Sequence, residues 1–275
     1  MKRARKHNRR LAKTIGLTLL LSAAVASHGM AAEVITDGII LNGGTRTLTE
    51  DTEVSNSGAG TVISLSGGAE LTAEKDLTVT AANGTGKSEG MKIDNGTLTV
   101  AGKTVIGVTC TSSNTSHYAY GISMSGLSGA SNAGFQDLEI NSSSAAGAAF
   151  GIVSDADCTN TVTGTAKLNV TAGGSSGAIG IQTIGTNTFG NLEITAVSAA
   201  GSAYGINYQS KAGKTASVTV TGNTLLAVKG QSAWGIQSQQ GSKSNFNELT
   251  IVAEATKSDA YGIHLLSDAE KYCSR

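Results

Sequence analysis

The sequence predicts an all-β fold: a right-handed parallel β-helix, or solenoid, of about 8–9 coils behind a helical signal peptide. Three observations carry this reading. A phrase of one bulky residue followed by Gly-Ile recurs along the chain. A Leu-x-Ile/Val triplet keeps step with it. The composition, with 36 Gly and no Pro, suits tight turns and uninterrupted backbone ladders.

The first phrase is degenerate, Glu89-Gly90-Met91, and six fuller copies follow. They are Tyr120-Gly121-Ile122, Phe150-Gly151-Ile152, Ile179-Gly180-Ile181, Tyr204-Gly205-Ile206, Trp234-Gly235-Ile236 and Tyr261-Gly262-Ile263. The glycines are 31, 30, 29, 25, 30 and 27 residues apart. Periods in this range mark stacked-repeat architectures. Strand parity puts residues i and i+2 on one face. It therefore predicts that each aromatic shares an inward core face with the Ile two positions on. Tyr120 and Ile122, Phe150 and Ile152, Ile179 and Ile181, Tyr204 and Ile206, Trp234 and Ile236, and Tyr261 and Ile263 form the expected repeat core. An exposed aromatic ladder for sugars is the alternative.

The triplets are Leu77-Thr78-Val79, Leu138-Glu139-Ile140, Leu168-Asn169-Val170, Leu192-Glu193-Ile194 and Leu249-Thr250-Ile251. Their leucines stand 13, 13, 12, 13 and 13 residues before the next repeat glycine. Val108-Thr109-Cys110 keeps the same phase, and the repeat before Gly235 is irregular. Phe135, Phe189 and Phe246 each lie three residues before a triplet leucine. Spacing is nearly constant on the triplet side and variable after Gly-Ile. The prediction is a stack with its variable loops on one side. One coil alone buries too little to offset its ordering entropy, so stability must come from neighbours.

The leader precedes all this. Lys2, Arg3, Arg5, Lys6, Arg9, Arg10 and Lys13 form a basic segment, and an apolar run of 13 residues follows from Thr14 to Ala26. This is the grammar of a secretory signal peptide, and the run is too short to span a bilayer. Cleavage after Ala26 and cleavage after Ala32 both fit. The domain reading is residues 1–32 as leader and 33–275 as repeat domain. Removing the leader takes 7 of 20 Lys+Arg and none of 20 Asp+Glu, leaving 13 − 20 = −7. An acidic chain without a basic stripe argues against nucleic acid as a partner.

A leader followed by Gly/Ser/Thr/Asn-rich β-coils with these two phrases resembles the passenger region of Gram-negative autotransporters. The resemblance covers nearly all of the chain, on compositional motifs. It implies a β-helical, adhesin-like surface protein, exported across the inner membrane and displayed through an outer-membrane barrel at the C-terminus of a full-length homologue. The chain ends at Arg275 without barrel strands, so the expectation is a passenger truncated at its C-terminus or one exported by another route. A chain of that kind resides in the periplasm. As part of a full-length protein it reaches the cell surface.

Candidate chemistry is sparse. Gly86-Lys87-Ser88, Gly102-Lys103-Thr104 and Gly213-Lys214-Thr215 match the end of a phosphate-binding loop, but Ala81, Thr97 and Tyr208 replace its first glycine. The carboxylate pairs Asp51/Glu53 and Asp155/Asp157 fall in turns, and Glu139 and Glu193 on outward strand positions of different coils. The mature histidines, His117 and His264, sit in different repeats. Cys110, Cys158 and Cys273 are an odd number of thiols with no metal spacing. The reading is a non-catalytic protein with no catalytic, cofactor or metal residues, whose partner is an unspecified host or bacterial surface ligand. A secreted polysaccharide-degrading β-helix and a self-assembling extracellular fibre subunit are the alternatives.

Overall fold

The computed structural model describes residues 32–266 except Ser57, Ala59 and Gln240. The signal-peptide reading, the Ala26 cleavage site and Cys273 lie outside the described residues. Eighteen strands pair in parallel into one continuous sheet, a β-solenoid of about eight turns with no helix among the described residues.

Each coil has three sides, and each side builds its own parallel ladder. The first ladder runs through Ile39–Asn42, residues 61–66 and 88–94, Ala119–Ser125, Ala149–Ser154, Ala178–Thr183, Ala203–Tyr208, Ala233–Ser238 and Ala260–Leu265. The second begins at Thr45–Leu48 and ends at residues 243–246. The third begins at Glu33–Ile35 and ends at residues 249–255.

Register turns each ladder into columns of equivalent residues. On the first ladder Ile39, Ile63, Met91, Ile122, Ile152, Ile181, Ile206, Ile236 and Ile263 stand one above another. The seven recognisable Gly-Ile phrases thus have two earlier equivalents, Gly38-Ile39 and Val62-Ile63. Asp37 and Thr61 replace the aromatic there, and Val62 replaces the glycine, so neither phrase stands out in the sequence. On the third ladder the facing column is Ile35, Val54, Val79, Ile106, Ile140, Leu168, Ile194, Leu226 and Ile251. On the second ladder Phe135, Val162, Phe189, Val220 and Phe246 alternate large and small, all buried.

The repeat glycine is explained by what lies across the interior. A Cβ on Gly121 would stand 2.4 Å from Ile140 Cγ2 and 2.5 Å from the carbonyl of Gly151 in the next coil. Gly180 meets Ile194 and the Gly205 carbonyl in the same way, and Gly235 meets Ile251 and Gly262. The two fixed phrases of the repeat are therefore partners. The glycine leaves the volume that the branched side chain opposite fills.

This geometry also breaks strand parity. In Ala119-Tyr120-Gly121-Ile122, Ala119, Gly121 and Ile122 are buried and Tyr120 is half-buried. Gly121 and Ile122 both face inward, so the aromatic before them faces outward. The predicted sharing of one face by Tyr120 and Ile122, and by each equivalent pair, is corrected accordingly.

Two triplets are also out of phase. Ala166 and Leu168 occupy the register positions of Leu138 and Ile140, so the equivalent segment is Ala166-Lys167-Leu168, two residues before the phrase read as Leu168-Asn169-Val170. Likewise Thr104-Val105-Ile106, and not Val108-Thr109-Cys110, aligns with Leu138-Glu139-Ile140. The causes differ: at Ala166 an alanine holds the leucine position, whereas before Gly121 a longer loop shifts the count back from the glycine. Residues 111–118 lengthen the corner from third to first ladder, and residues 209–216 the corner from first to second. Variable arcs therefore occupy two corners instead of one.

Two corner devices hold the coils in step. Between first and second ladders the chain repeatedly takes positive φ, at Gly43, Gly67, Asn95, Gly129, Asp157, Gly213 and Gly241. Gly, Asn and Asp are the residues that tolerate this conformation. Between second and third ladders, a side-chain oxygen accepts a backbone N–H of the following coil. Lys103 N donates to Asp76 Oδ1 at 2.7 Å, Thr165 N to Asp137 Oδ1 at 2.8 Å, and Asn223 N to Asn191 Oδ1 at 2.9 Å. The preceding Gly102, Gly164 and Gly222 give those oxygens room.

Gly180→Ala is expected to destabilise the chain by about 1–3 kcal/mol, as overpacking does. At Gly262 an added Cβ would meet nothing within 4 Å, so this position should tolerate Ala with no loss. Urea unfolding midpoints of the two variants check this. Equal midpoints would remove the cross-core explanation of the repeat.

Candidate binding faces

The predicted core residues divide between two environments. Ile122, Ile152, Ile181, Ile206 and Ile236 are buried in the main core, and Ile263 packs against it in the last described coil. Tyr120, Phe150, Ile179, Tyr204, Trp234 and Tyr261 form a second column on the first ladder, outside the main core, in which Phe150 and Ile179 are themselves buried. Phe150, Ile179 and Ala148 make a satellite cluster with Tyr118, Tyr120 and Tyr204.

The rings stack on one another. Tyr120 and Phe150 lie 4.8 Å apart at 9°, and Tyr204 and Trp234 lie 4.6 Å apart at 9°. Tyr118, at the end of the long arc 111–118, closes edge-on over the first pair. Tyr120, Phe150, Tyr204 and Trp234 thus each spend a ring face on a neighbour, which is poor geometry for a sugar platform. Burial, with Glu89 nearby, pushes the Tyr120 phenol up to about 12. Glu89 stands in the same column, between Thr61 and Tyr120. It is nearly buried, accepts from Thr61 Oγ1 at 2.7 Å and pairs with Lys87 at 3.5 Å.

The carboxylates singled out in the sequence are engaged singly. Asp155 pairs with Lys211 at 3.6 Å, and Lys214 grips both oxygens of Asp157 at 2.7 and 2.8 Å. Both lysines come from the long arc 209–216, so these contacts tie it to the wall. A depression of about 310 Å³ lies beside them, lined by Asp157, Cys158, Thr159, Thr186 and Lys214. Glu139 pairs with Lys103 at 3.0 Å, and Lys103's hydrogen bond holds its carboxyl below the ordinary carboxylate range. Glu193 pairs with Lys167 at 3.8 Å. Asp51 Oδ1 accepts from the Asp76 N–H at 3.3 Å, and Glu53 stands on an outer column of the third ladder.

The lysines of two phosphate-loop lookalikes, Lys103 and Lys214, thus serve carboxylates on other coils, and Lys87 pairs with Glu89. His117 Nδ1 lies 2.8 Å from Ser112 Oγ, within the arc 111–118, and His264 stacks on Tyr261. No group of three or more metal-ligating side chains comes together among the described residues.

The interior carries a polar cluster that sequence reading missed. Ser154 donates to Thr183 Oγ1 at 2.8 Å, and Asn187 Nδ2 donates to Thr183 at 2.9 Å and to Ser154 at 3.1 Å. Asn160 Nδ2 donates to Asn187 Oδ1 at 3.4 Å, while Asn160 Oδ1 has no partner among the described residues. Its only signal in the sequence is Asn160 and Asn187 at inward positions between two threonines. Tyr208 is buried nearby, with its hydroxyl 2.6 Å from Ser244 Oγ.

No protein-family description matches the chain, and no curated protein or solved structure matches it either.

Cys110 and Cys158 are buried free thiols, and burial, with Asp155 beside it, pushes Cys158 up to about 12. Because the thiolate is the reactive form, Cys158 should resist alkylation at pH 8 in the folded chain. In a Cys273→Ser background, maleimide labelling should be slow until denaturant is added and then reach two thiols. Rapid labelling without denaturant would contradict this burial.

Proposed function

We propose that this chain is an exported, autotransporter-like passenger segment, a structural and adhesive surface protein without catalytic activity. The carrying observation is the unbroken nine-residue stack from Ile39 to Ile263, which gives the chain long outer faces. Ionic side chains along those faces join neighbouring coils, as Lys103–Glu139, Lys167–Glu193 and Lys229–Glu254 do, instead of converging on a reaction centre. The leader grammar of residues 1–32 supports export. The arcs 111–118 and 209–216 are held in place by their own contacts and offer distinctive surface to a host or bacterial ligand. In this reading the chain reaches the periplasm, or the cell surface within a full-length autotransporter.

The test is adhesion of the leaderless chain, coated on beads, to epithelial cells, matrix and bacterial cells. Replacing 111–118 with the short turn 199–202, and 209–216 with 184–185, is expected to lower adhesion at least tenfold with little change in melting temperature. Absence of adhesion in the parent chain, or turnover of uronate polymers by it, would displace this reading.

A further inference from the structure

The second ladder has an outer face unlike the others. Four of its coils read Thr-x-Thr outward: Thr45-Arg46-Thr47, Thr97-Leu98-Thr99, Thr159-Asn160-Thr161 and Thr186-Asn187-Thr188. Two more supply one threonine each, Thr72 beside Glu70 and Thr219 beside Ser217. The other two coils place Asn132 with Gly134, and Lys243 with Asn245. Register stacks these residues into two parallel columns.

Ten of the 16 outward positions are threonine, and two are charged. Strand propensity alone would enrich Thr equally on the third ladder. There, the two columns running from Glu53 to Thr250 and from Ser55 to Val252 carry 4 threonines in 16 positions. The concentration therefore belongs to one face. All ten side chains are exposed or half-exposed, and none of their hydroxyls has a hydrogen-bond partner among the described residues.

The spacing identifies what such an array fits. Neighbouring coils stand about 4.8 Å apart, and residues i and i+2 on one strand about 6.6 Å apart. Water oxygens bonded at about 2.75 Å to one shared tetrahedral neighbour lie about 4.5 Å apart, and an extended bridge of two waters spans about 6.9 Å. One water thus fits each gap along a column, and two fit each gap across. Both repeats lie close to those of a tetrahedral water lattice, and the methyl groups between the hydroxyls offer no competing hydrogen bonds. Behind the face, the Asn160–Asn187 contact and its links to Ser154 and Thr183 brace two adjacent Thr-x-Thr coils from inside.

We propose that this threonine face binds ice. The aromatic rings needed to stack on sugars are on the first ladder and absent from these two columns, which favours ordered water over crystalline polysaccharide. The inference rests on the solenoid alone, independent of export or adhesion.

The experiment measures thermal hysteresis, and partition into a slowly growing ice hemisphere, for the purified leaderless chain. Alongside it go a face variant, Thr161→Lys with Thr188→Lys, and a third-ladder control, Thr80→Lys with Thr195→Lys. Circular dichroism and melting temperature establish that all three fold. The parent and the control are expected to show hysteresis and to enter the ice, and the face variant to lose at least tenfold of the activity. Absence of both signals in the parent, or equal loss in face variant and control, would overturn the proposal. Retention on crystalline cellulose or chitin without ice activity would also overturn it and assign the face to polysaccharide.

Discussion

Contact between coils is the constraint on which everything else depends. A single coil has an inside only one residue deep, and its backbone groups bond to the coils above and below. Stability in such an array is a property of nearest neighbours. The most demanding of these contacts links each repeat glycine from Gly90 to Gly235 to the branched side chain across the interior and to the glycine carbonyl of the next coil. Because the contact recurs through these consecutive coils, a deviation at one of them is transmitted to the next. This is why glycine and Ile recur so faithfully while the loops between them drift in length.

The outer surfaces inherit their order from that interior. Once the columns are in register, side chains that point outward also stand in columns, whatever their chemistry. The first ladder presents stacked rings, the third presents charges paired between coils, and the second presents threonines. Three chemically different faces come from one backbone repeat. Any function on them draws on arrays of like groups more readily than on the convergence of unlike groups that acid–base catalysis requires.

Much of the fold was legible because period and residue type agreed. The spacing of Gly121, Gly151, Gly180, Gly205 and Gly235 announced the coil, and the absence of proline allowed the ladders. Parity misled at the aromatics, since two-residue alternation assumes a regular strand, whereas the adjacent residues Gly121 and Ile122 both face inward. The triplet at Leu168 misled for another reason. Ala166 holds the leucine position two residues earlier, and an alanine gives no pattern to read. The threonine columns were invisible for a third reason, because Thr is common throughout the chain and only strand register sorts it onto one face. The polar cluster around Asn187 shows the same limit, since its members come from residues up to 33 apart in sequence.

The alternation of Phe135, Val162, Phe189, Val220 and Phe246 bears on how such a chain evolves. Its true period is two turns, whereas the inward Ile columns of the first and third ladders repeat after one. Duplication or loss of a lone turn in this stretch would set ring against ring or leave a void, whereas gain or loss in pairs would preserve the pattern. The heritable unit here is thus a doublet, and lineages that lengthen or shorten this region should do so by even numbers of turns.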